Sequence, residues 1–393
     1  MNHVIILKPQ HTLWVLIFSF RIRVNLKKWN QMKNLKNIFL LSLVVISFGG
    51  CKKDLLITIP NDRISAEIFW KTDNDAIFAA NAVYTKLENE WGFVHWDAMS
   101  DIGHVILQWR NESNIQSGIF DARYGIISSK WNEGYAGIQC ANIFLDNVDK
   151  VETINQPLID QLKSEVKVLR AYFYIRLALL YGDVPLVTSE TSLEASKKLT
   201  RTPVAQVWDF ISKELTDAAV VLPNTQKEKG RITKGAALAI KARAMLYAGR
   251  YPDAADAAKE VMDLNVYSLY PSYENLFSYA AENNQEVIFD RQYIKNSQYN
   301  NIFELTTPNS LWPMSCKFVP TKNVVDAYQM TNGKEITDPT SGFNPQYPYT
   351  NRDPRLKYTI ITLGDTLPND KIYNSIPGSF SVTNGITCTA SRY

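Results

Sequence analysis

The chain has 393 residues, of which 46% are hydrophobic and 21% are charged, a composition typical of a globular protein with one large core or two modest ones. Its formal net charge of +3 comes from residues 1–50, which hold seven of the 42 basic residues and none of the 39 acidic ones. Residues 51–393 therefore carry 35 basic and 39 acidic side chains, a net charge of −4. This acidic balance argues against a nucleic-acid-binding protein.

The N-terminal part has the layout of a lipoprotein signal. A short basic stretch follows Met32, and residues 38–48 form an apolar run too short to cross a bilayer as a helix. Two glycines then precede Cys51, which predicts a signal segment over residues 1–50 and lipidation of the Cys51 thiol. A plain secretory signal with a coincidental cysteine is the alternative. We expect translation to start at Met32, because a complete signal begins there, and residues 51–72 to form the lipid anchor and linker.

Helical patterns dominate the chain after this linker. Apolar residues at helical spacing, together with capping residues and prolines, predict a mostly α-helical domain over residues 73–393. A loop is predicted over residues 92–130, and irregular structure with a short β-strand at residues 286–289 is predicted after residue 267. The predicted helices are Asp73–Trp91, Trp131–Val148, Leu158–Tyr181, Pro203–Leu222, Lys234–Tyr247 and Pro252–Leu264.

The last two predicted helices resemble a tetratricopeptide repeat. They are joined by a turn at Gly249, and small residues recur where two helices would have to touch. These small residues are Ala244, Ala254, Ala255 and Ala258. Because the other helices also come in pairs, the sequence predicts a helical-repeat scaffold with long irregular loops and a few short β-strands.

The predicted helix over residues 158–181 is apolar on nearly all sides, so we expect it to be the central helix of the array. Gly182 can provide a left-handed C-terminal cap, and Pro185 prevents continuation of the helix. Asp183 between them is interpreted as a residue that hydrogen-bonds the backbone of its own turn.

Several segments in order resemble the SusD/RagB family of outer-membrane lipoproteins of Bacteroidota. They are LRAYFYIRLALLYGDVPLV (169–187), RTPVAQVWDFISKELTDAAVVLP (201–223), GRITKGAALAIKARAMLYAGRY (230–251), YPSYENLFSYAAENNQEVIFDRQY (270–293), VPTKNVVDAYQMTNGK (319–334) and NRDPRL (351–356). The resemblance implies a lipid-anchored protein on the outer face of the outer membrane. Such a protein binds glycans or other oligomers and delivers them to a SusC-like TonB-dependent transporter, on which its helical repeats dock. Family members continue well beyond the NRDPRL segment, so we expect the SusD-like domain to be incomplete at its C-terminus.

No catalytic or metal-binding motif stands out in the sequence. There is no HExxH, GxSxG or phosphate-binding glycine loop, and the cysteines after residue 51 lie far apart without histidine partners. His95 and His104 are interpreted as polar loop residues. We therefore expect no enzymatic activity, no cofactor and no metal site.

Aromatic residues are the main candidates for ligand binding. An indole can pack flat against the C–H face of a sugar ring while neighbouring amides and guanidinium groups bind its hydroxyls. The predicted ligand-binding residues are Trp96, Trp109, Arg110, Asn111 and Trp312. The alternative is that these tryptophans fill the core beneath a long loop. Arg352, Asp353 and Arg355 are interpreted as a structural ion-pair turn rather than a site.

Three functional hypotheses remain from the sequence. The first is a surface glycan-binding lipoprotein that works with a transporter. The second is a periplasmic tetratricopeptide-type scaffold that binds another protein along its helix faces. The third is a polysaccharide hydrolase, which the motif search disfavours.

Overall fold

The fold was analysed in a computed structural model, which describes residues 69–105, 112–152, 155–294, 296–300, 302, 306, 318–367 and 372–373. Two short strands, β1 (Gly103–Val105) and β2 (Phe318–Pro320), pair antiparallel with His104 opposite Val319. The α-helices are α1 (Asp73–Tyr84), α2 (Glu90–Ala98), α3 (Glu112–Gln116), α4 (Gly125–Asn147), α5 (Gln156–Tyr181), α6 (Leu193–Ser196), α7 (Val204–Val221), α8 (Lys234–Tyr247), α9 (Tyr251–Asp263), α10 (Lys322–Ala327) and α11 (Pro354–Thr359). Single 3-10 turns cover Val148–Lys150 and Tyr279–Ala281.

Helix α5 is the centre of a helical array, as its apolar sequence predicts. It packs against α1, α4 and α7, while α8 packs against α7 and α9. Most of its residues are buried, including the completely buried Tyr174. The helix ends at Tyr181, and the following Gly182 has a φ of 66°, which a glycine adopts without steric cost. Its ψ of −116° differs from the left-handed helical cap that the sequence predicts. The predicted mostly α-helical, tetratricopeptide-like fold with few strands is confirmed.

Helices α4 and α5 approach each other closely because α4 has glycines at the contact. A Cβ atom on Gly137 would lie 2.6 Å from the ring of Phe173, and one on Gly134 would lie 2.9 Å from the side chain of Leu177. A side chain at either glycine would therefore force these helices apart.

Two buried ion pairs explain how α5 accommodates charged residues inside the array. Arg170 lies 2.8 Å from Glu214 of α7 and also donates to Asn142 of α4. Glu165 is completely buried and lies 2.8 Å from Arg231, in the loop before α8. Each charge thus has an opposite charge on a neighbouring element, which burial requires.

Several local predictions differ from the structure. Helix α1 ends at Tyr84 rather than Trp91, and α2 (Glu90–Ala98) extends into the predicted loop over residues 92–130. Residues 286–289 form no strand, because no segment pairs with them in the described part of the chain. Among the predicted small contact residues, Ala244 and Ala254 are buried, whereas Ala255 and Ala258 are exposed and Ala257 takes their place.

The interpretation of Asp183 as a residue that bonds the backbone of its own turn was wrong. Its carboxylate accepts a hydrogen bond of 2.8 Å from the backbone N–H of Val204, 21 residues further along the chain. Asp183 therefore caps the N-terminus of α7, where Pro203 makes no side-chain capping bond.

None of the helices within the described ranges has both the length and the apolar composition needed to cross a membrane.

Candidate functional site

Trp96 lines an open cleft of about 480 Å³ next to the central helix. The walls come from α2 and the turn before it, from α4, from the C-terminal half of α5 and from Arg291. Trp96 lies within α2 and is half-buried. Its predicted location in a loop is therefore wrong, although the residue does face a cavity.

The carboxylate of Glu88 organises the cleft. Its two oxygens accept the indole N–H of Trp96 at 3.1 and 3.2 Å. The same carboxylate pairs with Lys130 of α4 at 3.0 Å and with Arg176 of α5. One acidic side chain thus connects residues from three helices and fixes the orientation of the indole ring.

Cations cover part of the indole. The guanidinium carbon of Arg176 lies 4.2 Å from the centre of the Trp96 ring, and the ammonium of Lys130 lies 5.9 Å from it. Both distances are in the range of cation–π attraction. Nη1 of Arg176 also donates to the hydroxyl of Tyr172 at 3.2 Å. Nη2 of Arg176 is buried and has no hydrogen-bond partner among the described residues.

Two titratable groups of the cleft have shifted pKa values. Burial lowers the pKa of Lys130, but its hydrogen bonds and attraction to Glu133 and Glu88 outweigh this effect and raise the pKa overall. Lys130 is therefore a cation throughout the physiological range. Burial raises the pKa of Tyr172, partly opposed by the nearby Arg176, so the phenol keeps its proton.

The two histidines belong to regular elements rather than loops, contrary to the prediction. His95 lies in α2, with its Nδ1 3.2 Å from the buried carboxylate of Glu112. His104 lies in β1, with its Nδ1 2.9 Å from the side-chain oxygen of Gln116. The described residues contain no cluster of His, Cys, Asp or Glu able to hold a metal ion.

Two family models match separate parts of the chain. The model described as "Starch-binding associating with outer membrane" matches residues 66–246, and the model of the SusD family matches residues 285–387. The chain belongs to the SusD/RagB family.

Curated proteins and solved structures agree with this assignment. The chain is 26% identical over 277 residues to SusD-like protein P25 of Formosa agariphila, covering 67% of this chain and 52% of the relative. It is 27% identical over 260 residues to SusD-like protein P2 of the same organism, covering 63% and 50%. This SusD/RagB-family chain thus spans about half the length of the curated relatives it matches.

Two solved structures from Bacteroides fragilis superpose with a TM-score of 0.71 at 25% identity. One is a SusD-like protein, with 81% of this chain and 67% of that chain covered. The other is a SusD-like carbohydrate-binding protein, with 79% and 63% covered.

Of the sequence-predicted ligand-binding residues, the structure describes Trp96. Trp109, Arg110, Asn111 and Trp312 lie outside the described residues, as does the predicted lipidation site Cys51.

Glu88, Lys130 and Arg176 were not among the residues predicted from the sequence to bind a ligand. Arg176 offered a usable signal, because an arginine on a largely apolar helix needs a partner at a cleft or inside the core.

The NRDPRL segment forms an ion-pair turn, as predicted, but only one of its two arginines takes part in the ion pair. Arg355 pairs with Asp353. The buried Arg352 instead donates to backbone carbonyls, including those of Val325 and Tyr328 at 2.6 Å each.

Proposed function

We propose that this SusD/RagB-family chain binds a glycan in the Trp96 cleft and delivers it to a TonB-dependent transporter of the outer membrane. The observation that carries the proposal is an indole held in an open cleft by Glu88 and Arg176. A preorganised aromatic plane surrounded by polar side chains is the arrangement that sugar rings require.

The chemistry of the cleft matches a saccharide. A pyranose ring has an apolar C–H face, which can pack on an aromatic plane, and an equatorial rim of hydroxyls. Lys130 and Arg176 offer donors to those hydroxyls, whereas Glu133 offers an acceptor. Because Glu88 already fixes the indole, little side-chain entropy is lost when a sugar binds.

The relatives support this proposal. A carbohydrate-binding protein of the same family shares 25% identity and a TM-score of 0.71 with this chain. The family model over residues 66–246 is described as starch-binding and associated with the outer membrane. We accordingly propose binding without turnover, with Trp109, Arg110, Asn111 and Trp312 as further contacts.

The proposed location is the outer face of the outer membrane. Residues 1–50 serve as the signal segment, Cys51 carries the lipid, residues 51–72 form the linker, and the binding domain follows over residues 73–393. A SusC-like transporter is the proposed partner, because the family acts at that membrane.

Affinity electrophoresis in gels that contain starch, laminarin or polygalacturonate tests glycan binding. We expect at least one polysaccharide to retard the native chain, Trp96→Leu to abolish the retardation, and Trp96→Phe to keep part of it. Trp131→Leu is the matched control, because Trp131 packs on Tyr135 and Tyr181 away from the cleft. Equal retardation of the native chain and Trp96→Leu would refute the proposed site.

Purification from native outer membranes in mild detergent tests the anchor and the partner. We expect the intact mass to show a chain that begins at acylated Cys51, together with a co-purifying β-barrel transporter. An unacylated chain without a barrel protein would favour the periplasmic scaffold. Release of new reducing ends from a bound polysaccharide would favour the hydrolase.

A further inference from the structure

The described side chains that line the Trp96 cleft carry more positive than negative charge. Two carboxylates, Glu88 and Glu133, face four cations. These cations are Lys86, Lys130, Arg176 and Arg291. The surplus of two positive charges contrasts with the net charge of −4 over residues 51–393.

An adjoining recess of about 230 Å³ does not remove this surplus. It shares Leu87, Glu88, Tyr172 and Arg291 with the cleft. It adds one further cation and one further carboxylate, which are Arg243 and Asp290. The buried Glu112 behind His95 is not part of the cleft lining.

The carboxylates of the cleft neutralise only some of these cations. Glu88 pairs with Lys130 and Arg176, and Glu133 pairs with Lys130 again. Within the described residues, Arg291 forms no ion pair and donates instead to the backbone carbonyl of Leu87.

In the described part of the chain, Lys86 also lacks a carboxylate partner, and one nitrogen of Arg176 lacks a hydrogen-bond partner. Lys86 is exposed at the rim and has no ion-pair partner among the described residues. Nη2 of Arg176 is buried and has no hydrogen-bond partner in the same part of the chain. The cleft therefore offers unused cationic donors beside the aromatic plane.

Another cavity of the molecule carries no such surplus. A cavity of about 320 Å³ lies between the α7–α8 loop and residues 283–290. Its four charged lining residues are two cations and two carboxylates, Lys229, Arg231, Glu228 and Asp290. Arg231 and Glu228 there are paired at 2.9 Å.

We propose that the Trp96 cleft selects glycans that carry an anionic substituent, either the carboxylate of a uronic acid or a sulfate ester. The sugar ring packs on Trp96, and the anion is bound by Lys86 and Arg291 with help from Arg176. Guanidinium groups suit this task, because their planar N–H donors match carboxylate and sulfate oxygens. A cleft with low-dielectric walls also concentrates the attraction for an anion.

This inference rests on the proposed glycan-binding function, and matched oligosaccharides test the two separately. Isothermal titration calorimetry would compare oligogalacturonates with their methyl esters, which lose the charge and keep the backbone. A second pair would compare sulfated carrageenan oligosaccharides with their desulfated counterparts. We expect one anionic member to bind about tenfold or more tightly than its neutral partner.

The two pairs also identify the anion, since the first reports on carboxylates and the second on sulfates. Raising the salt concentration should lower the affinity for the anionic ligand more than the affinity for the neutral one, because salt screens charges near the surface. Equal binding of charged and neutral partners, or binding of starch or laminarin alone, would overturn the inference and keep the proposed function. No binding to any of these glycans would overturn both.

Substitutions of the cleft cations test whether they cause the preference for anionic glycans. Lys86→Gln and Arg291→Gln should each reduce affinity for the anionic oligosaccharide several-fold more than affinity for the neutral partner. Lys86→Gln is the safer variant for folding, because this side chain is exposed at the rim. Lys357→Gln is the matched control, an exposed lysine outside the cleft. Unchanged charge discrimination in both cleft variants would contradict the proposal.

Discussion

Replacement of Arg231 by methionine should destabilise the protein strongly, because it leaves the buried Glu165 without a counter-charge. The Glu165 carboxylate is 0% exposed and lies 2.8 Å from Arg231. It also accepts hydrogen bonds from Tyr84 at 2.9 Å, from Gln161 at 2.9 Å and from Gln226 at 3.1 Å. The cluster joins α1, α5 and the loop before α8.

The expected loss of stability depends on the hydrogen bonds that Glu165 keeps after the substitution. Removal of one partner from a buried ion pair costs about 3–5 kcal/mol. Three neutral donors stay on the carboxylate of Glu165, so we expect about 3 kcal/mol for Arg231→Met, at the lower end of that range. Burial and the charge of Glu165 raise the pKa of Tyr84, so this phenol remains a donor.

A double-mutant cycle measures the pair itself. Glu165→Gln alone should cost about 1–2 kcal/mol, because Arg231 keeps Asn81 and Glu228 as partners. The double variant should cost less than the sum of the single variants by about 1 kcal/mol or more, since no buried charge remains. Tyr84 can still donate to the carboxamide oxygen of the new glutamine.

Guanidinium denaturation followed by far-ultraviolet circular dichroism gives these free energies of unfolding. Arg123→Met is the matched control, because Arg123 pairs with Asp121 on the exposed surface and should contribute about 0.5 kcal/mol or less. A cost below about 1 kcal/mol for Arg231→Met, or additive single variants, would refute the reasoning.

Three further substitutions test the packing, capping and titration of the helical array. Asp183→Ala should lower the free energy of unfolding by about 1 kcal/mol by uncapping α7, measured as a lower unfolding midpoint. Asp183→Asn should cost clearly less, because its side-chain oxygen can still accept the bond from Val204, and equal costs for the two variants would contradict the cap. Gly137→Ala should cost about 1–3 kcal/mol by its clash with Phe173, and an unchanged melting temperature would contradict this close packing. Burial raises the pKa of Glu214 above its ordinary value of 4.5, although attraction and hydrogen bonding from Arg170 oppose it. The contribution of Glu214 to the free energy of unfolding is thus largest below that ordinary pKa and is lost as pH rises through the folded pKa. Denaturation midpoints measured across this range should show a pH dependence that Glu214→Gln removes, and an unchanged pH dependence in that variant would disprove the assignment.

The features predicted correctly from the sequence depend on neighbours close along the chain. Helix α8 has the predicted bounds Lys234–Tyr247. These boundaries depend on side chains within one turn of the helix end, so a linear pattern contains them.

The failed predictions concern elements without a regular local pattern and residues whose partners lie far away along the chain. Helix α2 lacks the regular apolar spacing that would have predicted it, and residues 286–289 have strand-like composition without a strand to pair with. Asp183 was assigned to its own turn, whereas it bonds to Val204, 21 residues away.

The sequence by itself determined the helical array and the central position of α5, because apolar periodicity, caps and prolines act locally. It also singled out Trp96 as a candidate ligand-binding residue. Only the tertiary structure decided what surrounds this indole. Glu88, Lys130 and Arg176 meet around it because three helices pack together there, and the positive surplus of the cleft arises from that packing, in a domain whose overall charge is negative.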